Sequence, residues 1–262
     1  WIEQEYSNQS NELGNILKTT ELQLKRYENI IYQIYEDTSI VEMIREEEDE
    51  RIPLDYVRMT DYMRGIQSEG EYVESVYLFA DDGEVFFQDS TVTGNFKTLY
   101  NVHWQEQIRE KNGAAAWLST YEVKSVRNQE KYFSCAFVVK DLASTWEPQG
   151  VLVLNIDLDL FENLFELLGQ QDDHSTYLIV DDEGSIIWSN HLEAANMLDK
   201  DFFQAVQSSE RTCSEQEYEG EQYVVTRLRS EYNDWNYISM KSREEVLKSG
   251  RWVVQMTVVL LM

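Results

Sequence analysis

The spacing of apolar residues near the start of the chain predicts a long amphipathic helix. Residues 2–48 contain no Pro and one Gly, which favours a single helix of roughly 40 residues or more. A stripe of positions with heptad spacing, which we call the seam, follows one side of it: Leu13, Leu17, Thr20, Leu24, Tyr27, Ile31 and Ile34, widened by Ile16 and Ile30. The seam fits two roles equally well: a signalling stalk that also packs on a second protomer, or a helix that serves only its own domain.

A strand, an acidic turn with Gly and a second strand occur twice, in residues 73–87 and again in residues 175–188. Val, Ile, Tyr and Phe in these segments fit a pleated sheet. The pairs Asp82-Gly83 and Glu183-Gly184 supply the positive φ that a tight hairpin turn needs. Because the two copies are about 100 residues apart, the size of a small domain, the sequence predicts two successive homologous lobes.

Each hairpin is followed by a helix and three further strands. In the first copy we predict a helix at 99–111 that ends at Asn112-Gly113, strands at 116–121, 132–139 and 150–156, and a second helix at 160–168. In the second copy we predict a helix near 201–206 and strands at 215–218, 223–229 and 235–240. The predicted fold class is therefore α+β, with a long N-terminal helix followed by two PAS-like antiparallel-sheet lobes.

The chain finishes in an almost uninterrupted apolar run, residues 252–262, which follows a basic cluster of Lys241, Arg243, Lys248 and Arg251. The run is about half of the roughly 20 residues that cross a hydrocarbon core, and its last residue is still apolar. We expect a transmembrane helix to begin here, with the basic residues at the lipid phosphates and Trp252 at the interface. The alternative is a C-terminal amphipathic helix that packs on the domain.

These patterns together divide the chain into four parts. The predicted boundaries are 1–52 for the N-terminal stalk helix, 53–169 for a membrane-distal lobe, 170–241 for a membrane-proximal lobe, and 242–262 for the exit helix and the start of a transmembrane segment.

Charge and motif content narrow the function. Lys and Arg number 22 against 49 Asp and Glu, a net charge of -27 that would repel phosphate backbones, so we expect no nucleic-acid partner. Cys135 and Cys213 fall in different lobes and are interpreted as single thiols. The chain lacks the phosphate-binding loop, the zinc-binding His helix, paired Cys-x-x-Cys and the nucleophile elbow. We therefore predict no catalytic residue, no metal site and no cofactor, and we assign the acidic pairs to helix caps and hairpin turns.

Over essentially its whole length the chain resembles the double Cache family of extracytoplasmic sensor domains. The resemblance is carried by the long first helix, the two lobes, residues 150–157 in the place of the final strand of the distal lobe, and residues 234–239 just before the exit helix. It is greatest to sensors of Gram-positive histidine kinases. The resemblance implies the extracytoplasmic, ligand-sensing part of a cell-membrane receptor, with a two-component sensor histidine kinase first and a chemoreceptor second. A module that binds a protein partner or dimerises without a small ligand is the remaining alternative.

In that family a small ligand lies in the distal lobe, between the sheet and the segments above it. Matched by position, the pocket would be walled by Tyr100, His103, Trp104, Trp117, Tyr121 and Phe133 or Cys135, with Asp141 closing its far end. The amino-acid-binding branch carries an Arg two residues before the helix Trp and a Tyr after it, where this chain has Val102 and Gln105. An amino-acid ligand is therefore not supported.

The aromatic walls of this predicted pocket suggest the class of ligand. Sugars and other polyols stack on aromatic faces, so a carbohydrate is our hypothesis for the small-molecule ligand. From the seam we expect a homodimer formed through the N-terminal helix, and from the C-terminal apolar run we expect attachment to the membrane through the C-terminal helix.

Overall fold

The computed structural model describes residues 2–33, 38–45, 52–80, 85–89, 107–124, 129–140, 148–168, 175–191, 200–209, 212–218 and 220–248. Its contacts divide the chain into two units. We call residues 22–160 the first unit, and residues 1–21 together with 161–262 the second unit.

Three helices precede the first strand: α1 (Ile2–Tyr32), α2 (Thr38–Arg45) and α3 (Pro53–Glu69). Helix α1 has 31 residues, so it is shorter than the sequence predicted, and residues 34–37 lie outside the described part of the chain. Helix α3 was not predicted. Pro53 occupies its first position, where the missing N–H costs no hydrogen bond, and the Asp55 carboxylate accepts a hydrogen bond of 3.0 Å from the Ile52 N–H.

The seam of α1 is buried within its own chain. Leu13, Ile16, Thr20, Leu24 and Ile31 are at most 1% exposed. This burial supports the second of the two predicted roles, a helix that serves its own domain. A second protomer would have to meet α1 on a different face.

The first unit contains a five-stranded antiparallel sheet in the order β2-β1-β5-β4-β3. Its strands are β1 (Val73–Ala80), β2 (Val85–Asp89), β3 (Ala116–Lys124), β4 (Gln129–Lys140) and β5 (Pro148–Asp157). Helix α4 (Asp159–Leu167) follows, and its start is capped by Asp157, whose Oδ1 accepts a hydrogen bond of 3.0 Å from the Asp159 N–H.

The second unit repeats this sheet. Its strands are β6 (Ser175–Val180), β7 (Ile186–Ser189), β8 (Cys213–Tyr218), β9 (Glu221–Arg229) and β10 (Asn236–Ser242), and helix α5 (Lys200–Ser208) lies between β7 and β8. The order β7-β6-β10-β9-β8 is the order of the first sheet. The internal repeat seen in the sequence is therefore a repeat of topology, and the predicted α+β fold with two antiparallel-sheet lobes is confirmed.

The acidic turn of the second hairpin has a structural role, as the sequence predicted. Gly184 has φ of 89°. The Asp181 carboxylate accepts hydrogen bonds from the backbone N–H of Glu183 (3.0 Å) and of Ser185 (2.7 Å). The oxygen atoms that could suggest a cation site thus hold the turn together. Its counterpart at Asp81 and Asp82 lies outside the described residues.

Different elements pack on the two faces of the first sheet. One face, which we call the Ile108 face, carries Tyr77, Leu118, Ala136 and Val153 against Ile108 from the helical residues 107–110. Side chains alternate along a strand, so the residues between these point to the other face, which we call the α1 face. There the ring of Phe137 on β4 lies 6.0 Å from the ring of Tyr32.

A buried hydrogen-bonded group joins three neighbouring strands of the first sheet. The Asn155 Oδ1 accepts a hydrogen bond of 2.8 Å from the Ser134 Oγ, and the Asn155 Nδ2 donates one of 2.8 Å to the Ser75 Oγ. All three side chains are buried. This group fixes the registers of β1, β5 and β4 because a slip would leave its buried polar atoms unpaired.

No described helix is long and apolar enough to span a membrane. Residues 243–248 are helical and directly follow β10. The predicted apolar run at 252–262 lies outside the described residues.

Two glycine substitutions test the close approach of β1 and β5. A Cβ on Gly150 would lie 2.5 Å from the carbonyl oxygen of Phe79, so we expect Gly150→Ala to lower the free energy of unfolding by about 1–3 kcal/mol. A Cβ on Gly65 in α3 would meet no atom within 4 Å, and Gly65→Ala should raise the free energy of unfolding by about 0.4–1 kcal/mol. Urea unfolding of both variants measures the difference. Equal stabilities would contradict the close contact.

The two thiols should differ in reactivity. Cys135 on the α1 face is fully buried, and burial first, then the Glu28 carboxylate, raise the pKa of its thiol well above the usual value. Cys213 is only half-buried. Since the thiolate is the reactive form, a disulfide reagent at pH 8 should label Cys213 in the folded protein and Cys135 only after unfolding. Cys213→Ser should then show no labelling before urea is added, and rapid labelling of that variant would place Cys135 elsewhere.

Candidate functional site

The first unit contains a cavity of about 390 Å³ at the edge of the sheet where β1 and β4 end and β5 begins. It is lined by Phe79, Ala80, Arg109, Asn112, Val138, Lys140, Pro148, Gly150 and Val151. The volume falls within the range of small-ligand pockets.

The floor of the cavity is apolar. Phe79, Val138 and Val151 pack with the core of the Ile108 face, so they present hydrocarbon to the space above them. Gly150 lies beside them with its Cα next to the backbone of Phe79, where a side chain would not fit. The missing side chain allows β5 to lie close to β1 at this end of the sheet.

One wall is built from a turn and a lysine. Asn112 and Gly113 have φ of 50° and 97°, which reverses the chain after the helical residues 107–110, as the sequence predicted for this pair. The Lys140 ammonium donates hydrogen bonds to the Asn112 backbone carbonyl oxygen (3.0 Å) and to the Asn112 Oδ1 (2.7 Å). The end of β4 is thereby attached to the turn, and the position of the ammonium is fixed.

Among the described residues of the lining, the charged ones are Arg109 and Lys140, and both are cations. Arg109 stands on the helical residues three positions before Asn112 and is exposed. Within the described part of the chain its guanidinium has no hydrogen-bond or ion-pair partner. In a protein with a net charge of -27, the described residues of the lining thus contribute two positive charges and no negative one.

The structure places only some of the residues that we predicted to form the site. Tyr100, His103, Trp104 and Asp141 lie outside the described residues. Tyr121 lies on β3, paired with Tyr132, after a register shift that separates it from Leu118.

Trp117 and Phe133 do come together, with ring centroids 6.1 Å apart, but not at the cavity. They alternate with Leu118 and Ser134, so they belong to the α1 face, as does Cys135. Phe133 is fully buried there. The contacts of Trp117 and Phe133 are therefore those of the core beneath the sheet.

Arg109, Lys140 and Gly150 were not predicted as site residues. The Asn112-Gly113 pair was recognised as the end of a helix, but its contact with Lys140 joins positions 28 residues apart, and no local pattern reports such a contact. A cation at the end of an apolar strand is the one signal in the sequence that could have drawn attention to Lys140.

A metal centre has no support among the residues that the structure describes. They contain no group of three or more His, Cys, Asp or Glu side chains placed to hold a metal ion.

No family model and no curated protein matches this chain. Solved structures do match. The ligand-binding domain of the Campylobacter jejuni chemoreceptor Tlp3 with L-norvaline has a TM-score of 0.65 at 14% identity, and the match covers 93% of this chain and 93% of that one. The sensor domain of the V. cholerae histidine kinase DctB has a TM-score of 0.62 at 15% identity, with coverage of 92% and 98%.

A third similar structure is the ligand-binding domain of the Pseudomonas aeruginosa PAO1 amino acid chemoreceptor PctB with L-Arg, with a TM-score of 0.59 at 12% identity and coverage of 92% and 96%. Each match covers more than nine-tenths of the chain and so includes both sheets. At such low identities, structural similarity is evidence of a shared fold but not of a shared function. The chain thus has the double Cache fold that its sequence resembles.

Proposed function

We propose that this chain is the extracytoplasmic ligand-sensing region of a membrane-bound signal-transduction receptor, and that a small solute binds in its first unit. The observation that carries the proposal is a ligand-sized cavity in the first of two lobes whose fold is similar to sensor domains over more than nine-tenths of the chain. The first unit is then the membrane-distal sensor. The second unit, followed by a membrane segment that begins within 242–262, is the membrane-proximal relay.

The receptor is a two-component sensor histidine kinase in this proposal. The resemblance of the sequence to Gram-positive sensor kinases supports that choice, and a kinase sensor domain is among the similar structures. A chemoreceptor is the second candidate, since chemoreceptor domains are similar to the chain to the same degree.

The free energy for signalling comes from the difference in ligand affinity between two states of the protein. Within the second unit, one carboxylate joins the start of α1 to the segment after β10. The Tyr6 hydroxyl donates a hydrogen bond of 3.0 Å to the Glu215 Oε1, and the Arg243 Nε lies 3.6 Å from the Glu215 Oε2. Burial first, then Glu215, raise the pKa of the Tyr6 hydroxyl, so it remains a donor. We propose that this contact passes movement toward the C-terminal helix.

Tyr100, His103, Trp104, Tyr121 and Asp141 remain the proposed upper walls of the pocket. The carbohydrate hypothesis depends on these aromatic residues, because sugar rings stack on them.

A second candidate function is the binding of a protein partner or of a second protomer. Ile52, Leu54 and Val57 at the start of α3 are exposed apolar residues, and so is Leu22 on the face of α1 away from the seam. Exposed apolar groups of this kind mark interaction surfaces when they lie together.

A ligand screen separates these functions. A solute at 100 times its dissociation constant should stabilise the purified protein by about 2.7 kcal/mol, which thermal unfolding detects. We expect at least one sugar, organic acid, amine or peptide to do so.

Two variants test the proposed walls of the pocket. We expect Trp104→Ala and Tyr121→Ala to abolish the shift in thermal unfolding while the circular dichroism spectrum is unchanged. Normal ligand binding by both variants would contradict the proposed walls, and no shift with any solute would favour a protein partner.

The relay contact can be tested in the full-length receptor. Glu215→Ala should reduce the ligand-dependent change in output, with little effect on stability because the ion pair is exposed. Glu217→Ala, on the same strand and bonded to Gln222, is the matched control and should leave the output unchanged. If the two variants behave alike, Glu215 has no part in the relay.

A further inference from the structure

We propose that the cavity in the first unit binds the carboxylate group of a small organic acid between Arg109 and Lys140. This inference rests on the proposed sensing function and names the chemical class of its ligand. Three features of the described residues support it: a fixed ammonium, an unpaired guanidinium, and an apolar floor that has room for the rest of the acid.

Lys140 is held in place before any ligand arrives. Its ammonium has three N–H donors, and two of them are used by the carbonyl oxygen and the Oδ1 of Asn112. Both acceptors are neutral, and no carboxylate of the described residues forms an ion pair with this ammonium. The third donor remains for a ligand. Because the two bonds already order this long side chain, the binding of an anion does not incur the entropy cost of ordering it.

Arg109 brings the second charge to the same cavity. Its planar guanidinium carries five N–H donors in a geometry that matches the two oxygen atoms of a carboxylate. Arg109 is three residues before Asn112, and Asn112 accepts a hydrogen bond from the Lys140 ammonium. The short segment 109–112 therefore connects the two cations. The two cations therefore share one wall of the cavity.

Four other arginines of the described residues are paired with acidic side chains. Arg58, Arg64, Arg229 and Arg243 each lie within 4.0 Å of a carboxylate oxygen. Arg109 differs from them because no carboxylate of the described residues pairs with it, and no described residue of the cavity lining is acidic. A cation left unpaired in so acidic a chain is a candidate for pairing with a ligand.

The floor of the cavity determines what accompanies the carboxylate. Phe79, Val138 and Val151 supply an apolar surface, and the volume of about 390 Å³ admits a small organic body beside the charged group. A carboxylate at the wall with its carbon skeleton on the floor satisfies both surfaces at once.

Pairs of probes in which a neutral group replaces the carboxylate test this inference on the purified chain by isothermal titration calorimetry. The pairs are succinate and succinamide, benzoate and benzamide, and glucuronate and glucose, with inorganic phosphate as a non-carboxylate anion. We expect at least one carboxylate to bind and its neutral counterpart to bind at least tenfold more weakly. Equal binding of both members of every pair, or binding of phosphate alone, would overturn the carboxylate assignment.

Variants then locate the bound carboxylate. Arg109→Gln and Lys140→Met should each raise its dissociation constant at least tenfold, and Lys140→Arg should lose less than Lys140→Met. Lys111→Met, an exposed cation of the same turn, and Arg64→Gln on α3 carry the same change of charge away from the cavity and should bind normally. If Lys140→Met does not fold, Arg109→Gln decides. Unchanged affinity in Arg109→Gln, or an equal loss in the control variants, would contradict the site.

The outcomes also distinguish this inference from the sensing function. If no carboxylate binds while a neutral sugar, an amine or a peptide stabilises the protein, the sensing function stands and the carboxylate assignment is wrong. If an amino acid binds but Arg109→Gln has no effect on it, the ligand site lies elsewhere in the protein. If nothing binds, both proposals fail.

Discussion

The hydrogen-bonded group of Asn155, Ser134 and Ser75 is the constraint on which the geometry of the first unit depends. It joins β4, β5 and β1 through side chains that are buried, where an unpaired polar group would be costly. A shift of one residue in any of these registers would send every side chain of that strand to the opposite face. Because the group fixes these registers, Val138 lies on the Ile108 face at the floor of the cavity, and Phe133 is buried on the α1 face. The cavity is a consequence of this pairing.

Local patterns were sufficient to predict much of the fold. The strands, the repeated hairpin and the turn at Asn112 and Gly113 could be read from the sequence because alternation and turn residues act over a few neighbouring positions. Helix α3 was missed because its buried residues, Met59, Met63 and Ile66, are few and are separated by polar ones. The site was predicted less well. Trp117 and Phe133 were assigned to the pocket by matching positions with the family, but the face of a strand residue depends on register and on what covers the sheet. The contact between Lys140 and Asn112 is tertiary, so no window of sequence contains it.

The seam of α1 shows how one sequence pattern can fit two structures. Heptad spacing predicts a buried stripe but does not name what buries it. In the second unit the stripe and its flanks meet the chain's own sheet, and several contacts are polar. The Thr226 Oγ1 donates a hydrogen bond of 3.1 Å to the Gln9 Oε1, and the Ser230 Oγ donates one of 2.7 Å to the Glu21 Oε1. Such bonds are directional, so they define the position of the helix along the sheet more sharply than apolar packing would.

The central claim is that the first unit is the part of the protein that responds to a solute. Hydrogen–deuterium exchange, measured with and without a solute that raises the melting temperature, tests it most directly. Protection should increase in the helical residues 107–110, in the turn that follows them, and at the ends of β1, β4 and β5 that surround the cavity. Protection confined to β6–β10 of the second unit, with no change around Arg109 and Lys140, would contradict it.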